Sequence, residues 1–206
     1  MLREREVTAA DCSLCLAIPL EKAEFLSQAD RGAKGAYIPT IVEKVGGDLE
    51  DAWREYSGVA DYALSVVAKL RRLGGTAATN ASMETIGKAL RQHSVVTLIA
   101  HGMGGESEAD ALLQLHDETV SPQTFATVVP EAYSGVLDLT SCRSGSRLLS
   151  SVKSRAKDSI VMSRPNDVHP LAALTLYSAT LTIIAHTRQR YTDAMTAAVR
   201  AAREAT

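Results

Sequence analysis

The chain has 206 residues, 46% of them hydrophobic, and 22 Lys and Arg against 24 Asp and Glu give it a formal charge of -2. That much apolar chain supports one compact domain spanning 1–206, or a domain plus a small insertion, and the interspersed charges exclude a basic nucleic-acid face. Three cysteines fit a reducing compartment better than a disulfide framework, the opening Met1-Leu-Arg-Glu-Arg-Glu6 lacks the apolar core of a secretory signal, and no apolar stretch reads as long enough to span a bilayer. The expectation is a soluble, cytoplasmic protein.

In chain order, Leu14-Cys-Leu-Ala-Ile-Pro-Leu20 reads as a first buried strand, with Pro19 near its end where a missing donor is tolerable. Residues 22–56 are charged and interrupted by Gly32, Gly35, Pro39, Gly46 and Gly47, and read as a long loop or insertion with one helical stretch around Leu49 to Tyr56. From Gly58, apolar residues at Val59, Tyr62, Ala63, Val66, Val67 and Leu70 recur at helical spacing, and Gly74-Gly75 stops that helix. Thr76 to Thr79 is a second, weak strand. Ser82 caps the next helix, with Thr85 three residues on and Met83, Ile86, Ala89 and Leu90 on its inner face.

Ser94-Val-Val-Thr-Leu-Ile-Ala100 is a third strand, and it runs into His101-Gly102. After a Gly-rich loop, Ala111-Leu-Leu-Gln-Leu-His116 reads as a hairpin strand with its turn at Asp117-Glu118, and Ser121-Pro122 opens a helix with serine as cap and proline at the first helical position. Gly135-Val-Leu-Asp-Leu-Thr-Ser141 is a fourth strand and runs into Cys142. Ser146 to Val152 is a short helix, Ser159-Ile-Val-Met-Ser163 a fifth strand, and Pro170 to about Ile184 a helix. Tyr191 to Ala205 is a closing amphipathic helix. Strands alternating with helices predict an α/β sandwich with a mainly parallel sheet.

In such sheets ligands gather beyond the carboxyl ends of the strands, so His101 and Cys142 are expected at one rim. A free cysteine is mostly protonated at neutral pH and becomes a nucleophile when a neighbouring imidazole takes its proton. Gly102 lets the chain turn tightly and lets a substrate approach the backbone, where preorganised N–H donors stabilise a tetrahedral oxyanion by roughly 3–4 kcal/mol each.

The order of these motifs resembles the caspase-like cysteine peptidases of clan CD, and within them the CHAT domains. Leu98-Ile-Ala-His101-Gly102 and Leu137-Asp-Leu-Thr-Ser-Cys142-Arg-Ser-Gly145 match the two catalytic strand ends. Ala111-Leu-Leu-Gln-Leu-His-Asp117 is similar to the hairpin between them. Ser159-Ile-Val-Met-Ser-Arg-Pro-Asn-Asp167 looks like the strand and Pro-x-Asp turn that follow, and the segment from Tyr191 to Arg203 looks like the last helix. The resemblance covers roughly residues 58 to 205 and, more loosely, strand one.

It implies a caspase-like three-layer sandwich, a mainly parallel sheet flanked by helices. It further implies a cysteine endopeptidase acting on protein or peptide substrates, with Cys142 as nucleophile, His101 as general base and the N–H groups of Gly102 and Cys142 as oxyanion hole. No metal or organic cofactor is needed for that chemistry. A regulatory protein partner, a homodimer or processing within 22–56 is the expected restraint, and a defence or programmed-death setting is what the family implies.

Two residues before the cysteine, where the family reads the substrate side chain, stands Thr140 rather than a glutamine or an aspartate. Asp138, Arg164, Asp167 and Glu21 are the other candidates for the substrate pocket. An acidic pocket selects Arg or Lys, and an inward Arg164 selects Asp or Glu.

Plainer readings stand beside these. Cys142 as a buried structural thiol and His101 as a strand-capping residue are the bland alternatives, and a catalytically silent caspase-fold scaffold or sensor is the non-enzymatic one. Cys12-Ser-Leu-Cys15 has C-x-x-C spacing, yet on a strand the two side chains face opposite ways and read as core. His93 and His186 sit at helix ends, His116 lies at the hairpin turn, and His169 precedes Pro170 at a helix start, where it can border the cleft. Ile99-Ala-His-Gly-Met-Gly-Gly105 also resembles the oxyanion loop of α/β-hydrolases, but the Gly-x-Ser-x-Gly elbow of an esterase of that type is missing from the chain.

Overall fold

The computed structural model describes residues 4–31, 37–103, 112–141, 146–163 and 168–204. Cys142, Arg164 and Asp167, and most of the Gly-rich stretch after His101, lie outside the described residues. The described chain is a mixed α/β fold with seven strands and eight α-helices. The strands are β1 (Cys12–Leu16), β2 (Thr76–Ala78), β3 (Val95–Met103), β4 (Leu112–Gln114), β5 (Thr119–Val120), β6 (Val136–Ser141) and β7 (Ile160–Ser163).

β1 pairs with β2 and β3, β3 with β6, and β6 with β7, all in parallel, giving the spatial order β2-β1-β3-β6-β7. β3 then outruns its parallel neighbours, and its last three residues pair antiparallel with β4, which pairs with β5. The expectation that this strand ends at Ala100 is therefore corrected: His101 and Gly102 belong to it.

The helices are α1 (Lys22–Arg31), α2 (Tyr37–Lys44), α3 (Leu49–Arg72), α4 (Met83–Gln92), α5 (Pro122–Ala126), α6 (Ser146–Arg155), α7 (Pro170–Thr187) and α8 (Tyr191–Glu204). Alternation along each strand divides the core in two. On one face Cys12, Leu14, Leu16, Val95 and Ile99 pack against α1, α2, α3, α7 and α8. On the other Cys15, Val96, Leu98, Leu137 and Leu139 pack against α4, α5 and α6. Cys12 and Cys15 face opposite layers, as a strand dictates.

Of the reading of 22–56 as a long loop or insertion, the loop is overturned by α1 and α2, while the helical stretch read around Leu49 to Tyr56 is the start of α3. Pro39 sits in the first turn of α2, where its missing N–H costs no intrahelical bond. Gly46 and Gly47 take φ of 75° and 90° just past its end, and the Gly47 N–H bonds back to the Val42 carbonyl at 2.8 Å. These residues stop short helices rather than forbid them. α3 joins the stretch from Leu49 to the periodic run from Gly58 in one helix, and Asp48 caps it by accepting from the N–H groups of Glu50 and Asp51. It runs through exposed Gly58, since Tyr56, Val59, Ala60, Ala63 and Val67 bury one continuous face.

Phe25 of α1 stacks near Trp53 and Tyr56 of α3 at 5.5 and 5.1 Å, so α1 joins the same layer. The Tyr56 hydroxyl donates to the Pro19 carbonyl at 3.0 Å, tying α3 to the chain leaving β1.

Two caps match their sequence signatures: Ser82 with Thr85 at the start of α4, and Ser121 followed by Pro122 at α5. α7 has 18 residues and no Asp, Glu, Lys or Arg, so by length and composition alone it could cross a bilayer, against the expectation of no such stretch. In this fold its Ala173, Leu174, Tyr177, Leu181 and Ile184 are buried in the core layer it shares with α3 and α8. Lys69 of α3 fastens it by donating to the Ser178 carbonyl at 2.8 Å and to Thr182 Oγ1 at 2.6 Å.

Candidate functional site

The chain leaves β1 for β2 on one side and β3 for β6 on the other, so the strand order reverses between β1 and β3. In open α/β sheets that reversal opens a crevice at the carboxyl ends of the two strands. His101 is at the end of β3, and the segment leaving β1 leads into α1 and α2.

β3 and β6 are adjacent and parallel with Ala100 opposite Ser141. These are the residues immediately before His101 and Cys142. Ile99 opposite Thr140 and Thr97 opposite Asp138 complete the register, and all four belong to the face that packs on α3, α7 and α8.

His101 is 2% exposed, and its Nε2 is buried with no hydrogen-bond partner among the described residues. The ring of Tyr37 stacks on the imidazole with centroids 4.9 Å apart and planes at 25°. Burial disfavours the imidazolium and pushes the His101 pKa down to about 4. The Tyr37 hydroxyl in turn meets Nε2 of His169 at 3.0 Å, and Nδ1 of His169 accepts from the Leu171 N–H at 3.2 Å as the cap of α7. With Nδ1 accepting, the neutral His169 ring carries its proton on Nε2 and donates it to Tyr37.

Beneath this rim runs a buried polar chain. Asp138 is fully buried, and its carboxylate accepts from Tyr191 Oη at 2.9 Å and from Thr140 Oγ1 at 3.1 Å. Since the Tyr191 proton goes to Asp138, Thr97 Oγ1 donates to Tyr191 Oη at 3.0 Å. Four hydroxyl and carboxylate groups thus bond in series inside an apolar layer, which helps fix the register of β3 against β6 and orient α8.

The candidate pocket residues therefore divide. Thr140, 5% exposed, and Asp138 are held in that internal network, whereas Glu21 is exposed at the start of α1, where its carbonyl accepts from the Phe25 N–H. Gly102 pairs with Leu113 of β4. His116 and His186 are exposed, and His93 ends α4 with its ring on Thr76 Oγ1. Among the described residues no group of three His, Cys, Asp or Glu side chains is placed to hold a metal ion.

Tyr37 was not singled out from sequence. Nothing local marks it, because α1, α2 and α3 must first pack before it reaches β3. His169 had a signal, a histidine before Pro170 at a helix start, but its link to Tyr37 is tertiary.

A cleft of about 580 Å³ opens at the opposite rim, between Arg5, His93, Ser94, Tyr133 and Gly135. It lies at the amino ends of β3 and β6, away from His101. Compared with protein-family models, with curated proteins and with solved structures, the chain matches none of them.

Proposed function

We propose that this chain is a caspase-like cysteine endopeptidase of the CHAT type, an α/β/α sandwich that hydrolyses peptide bonds in protein substrates through Cys142 and His101. The observation that supports the reading is the register of β3 and β6: Ala100, which precedes His101 in sequence, stands opposite Ser141, which precedes Cys142 in sequence. In the reaction, His101 accepts the Cys142 thiol proton as the sulfur attacks the scissile carbonyl carbon. The resulting imidazolium returns that proton to the leaving amine as the C–N bond breaks, and water then hydrolyses the thioester to release the acid and the thiol. Backbone N–H groups of Gly102 and Cys142 are assigned to the oxyanion.

The buried state of His101 favours a second reading. A base held at about 4 by burial is a weak proton acceptor, as expected of a latent enzyme or of a scaffold that never turns over. Cleavage of a diverse fluorogenic peptide library by wild type, Cys142→Ala and His101→Ala decides between them. The peptidase reading expects cleavage by wild type alone, with product sites read by mass spectrometry. Equal cleavage by all three, or none from the wild type even after α2 is released as described next, would remove it in favour of the scaffold.

A further inference from the structure

Among the described residues, the ring of Tyr37 covers His101. Tyr37, the first residue of α2, covers the imidazole face to face, while its hydroxyl is held by His169 and its ring edge rests on Tyr56 at 6.2 Å. α2 itself is only eight residues long; it buries Ile38 and Ile41, with Tyr37 and Val42 partly buried against the same core. Elements with so few buried side chains belong to the low-stability end of local opening. The closed state also leaves the Nε2 of His101 buried without a partner among the described residues, a cost that water would relieve on opening. His169, by contrast, is an exposed helix cap that an approaching molecule can reach.

The geometry points to α2 as a gate over His101, in which Tyr37 is the cover and His169 the latch. Release of the Tyr37–His169 hydrogen bond removes one hold on the ring and so favours its movement off the imidazole. The gate stands on the contacts above; that it governs peptide cleavage rests on the peptidase reading.

The test is the rate at which diethyl pyrocarbonate modifies each histidine of the full chain at neutral pH, read by peptide mass spectrometry. In wild type, His101 should react at least about tenfold more slowly than exposed His116 and His186, since reaction requires opening. Tyr37→Ala should bring His101 close to the rate of His116. His169→Asn keeps a good helix cap and removes the latch, and Tyr37→Phe keeps the stacked ring and removes the hydroxyl, so both should speed His101 by about threefold or more with His116 unchanged. Unchanged circular dichroism and melting temperature secure the comparison. If Tyr37→Ala does not fold, the two latch variants carry the test.

A wild-type His101 that reacts as fast as His116 overturns the gate, as do latch variants with the wild-type rate. Peptide cleavage measured on the same variants keeps the two claims apart. Faster modification of His101 without cleavage supports the gate and counts against the peptidase.

Discussion

The phenol of Tyr37 lies over the imidazole of His101 with ring centroids 4.9 Å apart, and burial there lowers the histidine from 6.5 to about 4. This makes stability depend on pH with a definite sign. The unfolded chain takes up the proton near 6.5 and the folded protein only near 4, so the neutral form stabilises the fold above 6.5 and that contribution drains away as pH falls between these values. The full loss is up to about 3 kcal/mol. Urea unfolding of wild type and His101→Gln from about pH 7.5 to about pH 4 should show a stability difference that shifts against the wild type as pH falls. A difference independent of pH would mean that His101 is not buried as described.

The two thiols of β1 are expected to be inert. Cys12 and Cys15 have no exposed surface, and desolvation pushes both up to about 12. Iodoacetamide at mildly alkaline pH should leave them unmodified until the protein is denatured, and any fast labelling of the native chain should disappear in Cys142→Ser. Labelling of Cys12 or Cys15 at the rate of a free thiol would contradict the packing of β1.

Tyr191→Phe removes a donor from the buried Asp138 carboxylate and leaves Thr97 facing a ring edge. The expected cost is about 2 kcal/mol, visible as a lower melting temperature and a lower denaturant midpoint with unchanged slope. A neutral result would show that the carboxylate finds another donor.

Two glycine substitutions should act in opposite directions. Gly58 lies exposed in the middle of α3 with open space where a Cβ would go, so Gly58→Ala should stabilise by about 0.5–1 kcal/mol. At Gly135 a Cβ would stand 2.1 Å from the Ser94 carbonyl oxygen, which already accepts from the Val136 N–H. Gly135→Ala should therefore destabilise by about 2 kcal/mol or more, and thermal melts of both variants report the signs.

The residues alone specified the mainly parallel core and the strands at its centre. The apolar runs ending at Ala100 and Ser141 form β3 and β6, the caps at Ser82 and Ser121 open α4 and α5, and the opposed facing of Cys12 and Cys15 follows from a strand's period of two. Each of these is a local pattern, carried by residues a few positions apart. Tertiary structure decided the rest. Pro39, Gly46 and Gly47 read as breakers until their places at the ends of α2 are seen, and the pairings of Asp138 with Tyr191 and of Tyr37 with His101 and His169 join residues more than fifty positions apart. Contacts of that reach leave no periodicity in the chain; they exist only once the layers have packed and the side chains meet.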